Sequence, residues 1–98
     1  FVGGIVRTLL SGAYTLEDDR LYNMMRALME YESIFIEPSA CACLPAPSLL
    51  AAAPGMEAYL VAHGISAHME NATHVLWATG GRLVPEAVRE EYRNTYLR

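Results

Sequence analysis

The stretch THVLWATGGRLVPEAVREEY, residues 73–92, runs apolar, stops at a hydroxyl and two glycines, and restarts as a charged segment opened by proline. Its first six residues are mostly apolar and include β-branched Thr73 and Val75 and aromatic Trp77, so residues 73–78 predict a buried strand. Thr79, Gly80 and Gly81 then turn the chain. Pro85 suits the first position of a closing helix, on which Val88, Tyr92 and Tyr96 form a stripe four residues apart.

Working outward, Ile34, Phe35 and Ile36 predict a second short strand, and Glu37-Pro38-Ser39 turns it into a helix with Ser39 as N-cap. Pro45 and Pro47 break that helix, and a further piece runs to Ala53 before Pro54-Gly55. Apolar residues recur at helical spacing over residues 1–10. They recur again from a Thr15/Asp18 capping box to Tyr31, on the side carrying Leu21, Met24, Met25, Leu28 and Met29. One more helix covers residues 56–63, closed by Gly64 as its C-terminal cap, and Ser66 caps a short turn to Glu70. The order helix, helix, strand, helices, strand, helix predicts an α/β class with short parallel strands flanked by helices. Two such strands do not make a free-standing sheet, so residues 1–98 read as a single partial domain whose remaining strands lie elsewhere. The start at Phe1, in mid-pattern and without methionine, reads the same way.

Composition narrows the function. Hydrophobic residues reach 53% and charged residues only 18%, which leaves too little solvated surface for an isolated domain of this size and predicts a partner surface. A net charge of -4 with scattered arginines argues against nucleic acid. Lysine is absent, so the chain supplies no amine for Schiff-base chemistry. No apolar run reaches the ~20 residues of a membrane span and no leader opens the chain, which predicts a cytoplasmic location. The sequon Asn71-Ala72-Thr73 then reads as chance. Cys41 and Cys43 are too close for an ordinary disulfide and read as buried, inert thiols. His63, His68 and His74 hold no ligand spacing, so no metal site is expected.

Two corners carry possible chemistry. Thr79, Gly80 and Gly81 end one expected strand, where glycines let a ligand approach the backbone and a hydroxyl can meet a ring nitrogen. A plain turn with Thr79 bonded to its own backbone is the competing reading. Glu37 ends the other expected strand, either as a helix-start anchor or facing the same crevice.

Read in order, GAYTLEDDRLYNMM, IFIEPSACA, NATHVLWATGG and VPEAVREEY resemble the carboxyl-terminal end of the D-serine dehydratase (D-serine ammonia-lyase) family, among the fold type II pyridoxal-phosphate enzymes. The resemblance covers essentially the whole chain. It implies the carboxyl-terminal part of that family's large domain and a pyridoxal 5'-phosphate-dependent α,β-elimination of D-serine to pyruvate and ammonia. It also implies that Thr79 hydrogen-bonds the cofactor's pyridine nitrogen, that Gly80 and Gly81 give the ring edge room, and that Glu37 supports the cofactor from beside or behind. The family's cofactor-anchoring lysine and glycine-rich phosphate loop are not among these residues, so the remainder of the same polypeptide is the implied partner and the segment alone is expected to be inactive. One departure is Arg82, which stands where the family continues its glycine run; a positive φ there implies strain. A stand-alone module that holds a small anion or docks on a partner is the alternative.

Overall fold

The computed structural model describes residues 1–96. Five α-helices and two 3-10 helices account for its regular structure: α1 Val2–Leu9, α2 Asp18–Glu32, a 3-10 helix Pro38–Cys43, α3 Ala46–Ala52, α4 Met56–Ala62, a 3-10 helix Ser66–Asn71, and α5 Glu86–Asn94. The expected α/β arrangement is overturned, because no strand forms among the described residues. Residues 34–36 and 73–78 are irregular. A strand exists only through its ladder, and neither segment meets a partner that offers one. Val75 and Trp77 are 81% and 78% exposed, so the apolar run that mimics a buried strand is uncovered here.

The helices form for ordinary reasons. Asp18 and Asp19 place negative charge at the start of α2, where the helix dipole favours it, and Glu17 is its N-cap in place of the expected Thr15. Left-handed Ser33 ends it, its N–H bonding the carbonyl of Met29. Glu37 is likewise the N-cap before Pro38, in place of Ser39. The closure at Gly64 is as expected: Gly64 has φ +68, its N–H donates to Val61 O, and the N–H of Ile65 donates to Leu60 O, the paired pattern of a Schellman turn. Pro85 caps α5 from just outside it.

A small core fixes the region that concerns function. Met25 of α2, Ile36 and Cys41 are buried together, with Met24, Leu28, Phe35, Ala40, Leu44 and Tyr92 packed around them. The closing helix α5 lies on α2 through Tyr92, and Tyr96 follows just past its end; their rings meet Tyr22 edge-on at 6.0 and 5.3 Å. Arg26 completes that joint by donating to the carbonyls of Arg93 and Thr95 at 3.1 and 2.7 Å. These are charge-assisted bonds to the otherwise unpaired carbonyls of a helix end.

The remaining helices bury much less. None of α1, α3 or α4 contains a buried residue, and α1 turns Phe1, Val2, Ile5 and Leu9 to the exterior. The radius of gyration is 16.2 Å, against about 13 Å for a compact domain of this length. The accessible surface of 7639 Å² likewise exceeds the roughly 5,500 Å² of a compact monomer of this mass. An excess on the order of 2,000 Å² is as large as a whole protein interface.

Candidate functional site

The two corners singled out in the sequence lie together. Gly81 is buried against the backbone of residues 35 and 36: a Cβ added to it would stand 2.7 Å from Phe35 O and 2.8 Å from Ile36 Cα. With φ +106 it also occupies backbone space that side chains disfavour. Gly80, at φ +68, faces the Glu37 side chain, whose Oε1 lies 3.0 Å from where a Gly80 Cβ would be. Two segments that pair as no sheet are therefore in close contact at the glycines.

Thr79 sits at the exposed lip of this corner. Among the described residues its hydroxyl takes no hydrogen bond within the chain, so the reading in which it satisfies its own backbone is not what the structure adopts. Arg82 causes no strain, since its φ is not among the positive ones and the turn closes normally with Val84 N–H donating to Gly81 O at 3.2 Å. The left-handed positions fall on the two glycines and end there.

Behind Glu37 the floor is thiol and apolar. Cys41 is fully buried, and burial first, with the nearby Cys43 second, pushes its thiol up to about 11 from 9.0. The neutral thiol is thus the folded form, so the stability it contributes is present below about pH 9 and is lost as pH rises toward 11. Iodoacetamide at pH 8 should accordingly modify Cys43, which is only half-buried, and spare Cys41 until the chain unfolds. Equal labelling rates, read by peptide mass spectrometry, would show that this core opens readily.

Sequence reasoning missed one contributor. Arg89 of α5 donates from Nε to Val84 O at 2.9 Å and from Nη2 to Gly81 O and Arg82 O, each at 3.0 Å. Its guanidinium also lies 4.6 Å above the Phe35 ring. An arginine seven residues beyond Arg82 carries no motif, and only the helix start at Glu86 aims it back at the turn.

No protein-family model matches the chain. Individual relatives do. The chain is 42% identical over 91 residues to a protein named probable D-serine dehydratase from Geobacillus stearothermophilus, a match covering 93% of this chain. It is 45% identical over 93 residues, 94% of its length, to the D-serine dehydratase of Salmonella paratyphi B. The chain is related to a segment of the D-serine dehydratases. It spans 20% of the length of these two relatives. A second probable D-serine dehydratase, from Geobacillus kaustophilus, is 37% identical over 97 residues. Identity at this level along almost the whole chain carries the resemblance drawn from the IFIEPSACA and NATHVLWATGG segments. Among the described residues, no helix is long and apolar enough to cross a membrane.

The corner brings the residues singled out in the sequence to one place. It combines a free hydroxyl, two positions without side chains and a carboxylate behind them. The space freed by the missing side chains is taken up by Phe35, Ile36 and Glu37, so the glycines serve the close approach of the two segments.

Proposed function

We propose that this chain forms the pyridine-ring side of the cofactor site in a D-serine ammonia-lyase that converts D-serine to pyruvate and ammonia. The observation that carries the reading is the corner itself, with Gly80 and Gly81 pressed on residues 35–37 and the Thr79 hydroxyl left unengaged at its edge. When bound, pyridoxal phosphate supplies the electron sink for loss of the α-proton and expulsion of the β-hydroxyl.

The chain's own residues have limited, definable work. Thr79 donates its hydroxyl hydrogen to the ring nitrogen. As a neutral donor, the Thr79 hydroxyl would leave the proton count of that nitrogen unchanged. Gly80 and Gly81 let the turn close onto residues 35–37 and so set where Thr79 stands, and Glu37 stands beside the glycines as a supporting carboxylate. The anchoring amine and the phosphate contacts come from the rest of the polypeptide, since this sequence contains no lysine. That remainder is also the natural cover for the uncovered apolar faces of α1 and of residues 75–77, which account for part of the excess surface.

The anion-module alternative is weaker. The helix following the glycines begins at Glu86, five residues past Gly81, and its first turn is acidic. That charge repels an anion where one should bind.

The test is Thr79→Ala in the intact enzyme. Leaving a ring nitrogen unpaired costs about 1–3 kcal/mol, so the cofactor dissociation constant should rise by roughly 5- to 150-fold. Thr79→Ser, which keeps the hydroxyl, should stay near the parent. An unchanged dissociation constant and cofactor spectrum in Thr79→Ala would remove Thr79 from the site.

A further inference from the structure

We infer that Arg89 is the positioning residue of this site: it holds the Thr79–Gly81 turn and the Phe35–Glu37 segment in register, although it touches neither cofactor nor substrate. The inference rests on the cofactor reading above and adds a residue to it.

Three facts lead there. First, the corner has no ladder of backbone hydrogen bonds, so something other than a sheet must fix the distance between its two halves. Second, the Arg89 guanidinium grips one half through three carbonyls, those of Gly81, Arg82 and Val84, at 2.9 to 3.0 Å. Third, the same group lies over the Phe35 ring at 4.6 Å and so presses on the other half. Only a planar fork does both at once, because lysine offers a point charge with no flat face to lay on a ring. The base of the lever is also firm. Arg89 is on α5, which Tyr22 holds through Tyr92 and which Arg26 fastens at its far end. Position is thereby passed from α2 through α5 to the glycines.

The experiment compares Arg89→Met and Arg89→Lys with Thr79→Ala in the intact enzyme, first without cofactor. Arg89→Met keeps the unbranched stem and the helix propensity but has no donor. Amide hydrogen exchange at Val84, whose N–H closes the turn on Gly81, should accelerate by about tenfold or more, with exchange in α2 unchanged. Arg89→Lys should fall between Arg89→Met and the parent. With cofactor present, the Arg89→Met dissociation constant should rise about tenfold and the bound absorbance maximum should shift, as a hydrogen bond to the ring nitrogen is lost or lengthened.

Unchanged Val84 exchange in Arg89→Met overturns the inference, because the turn then stands without the guanidinium. Faster exchange with unaltered cofactor binding also overturns it when Thr79→Ala does weaken binding, since the turn's position is then irrelevant to a site that exists. When neither Thr79→Ala nor Arg89→Met alters cofactor binding, the cofactor reading itself has failed. If Arg89→Met unfolds, Arg89→Lys decides: parental exchange and parental cofactor affinity in that variant exclude the fork.

Discussion

Gly81→Ala should be among the most damaging single substitutions in the chain. The new Cβ would lie 2.7 Å from Phe35 O and 2.8 Å from Ile36 Cα, and both obstacles are backbone, which cannot rotate away as a side chain does. The residue's φ of +106 adds strain that no L side chain escapes. Strain of about 1–3 kcal/mol together with an overpacking penalty of about 1–3 kcal/mol places the loss near 2–6 kcal/mol. Gly80→Ala is the matched control. Its φ of +68 is left-handed but milder, and its nearest obstacle is the Glu37 carboxylate at 3.0 Å, the far end of a flexible side chain. About 1 kcal/mol is expected there. Urea denaturation of both variants measures the difference. Equal midpoints would mean that the turn moves as a unit and that the contact between its two halves is not held.

That control also shows what was legible in the sequence. The glycine pair stood out because only glycine is comfortable where φ is positive, and both glycines are found there. The helices were legible too, from apolar spacing in α2 and from the Gly64 closure, since these are local properties of a few turns. The strands were misread. Ile34–Phe35–Ile36 and residues 73–78 have strand composition, but composition states only what a segment tolerates, whereas a ladder requires a partner within reach. N-caps were displaced by two residues, to Glu17 and Glu37, and neither helix start is closed by a side-chain cap bond. Arg89 was illegible for a different reason. Its role depends on three carbonyls and a ring that come together only after α5 docks on α2.

Met25→Ala should be comparably severe, and for a reason that ties the core to the site. Met25 is fully buried against Ile36 and Cys41, which with it make up the buried hydrophobic core. Truncating a buried methionine to alanine costs about 2–5 kcal/mol, the upper end applying where neighbours cannot collapse into the gap. A core this small offers few neighbours to do so. Met25→Leu, close in volume, should cost less than about 1.5 kcal/mol. The denaturation midpoint reads both. A second reading comes from Cys41, which should become reactive to iodoacetamide under native conditions once the cavity opens beside it. Ile36 immediately precedes Glu37 and forms the wall that Gly81 leans on. The two halves of the corner are held by this core and by Arg89, with no ladder between them, so loosening Met25 should displace Glu37 from Gly80 as well as destabilise the fold. A corner held by strand pairing would keep its geometry when α2 was undercut. Here the site should weaken in step with the core, and a Met25→Ala enzyme that lost stability yet kept its full cofactor affinity would show that the corner is held by something else.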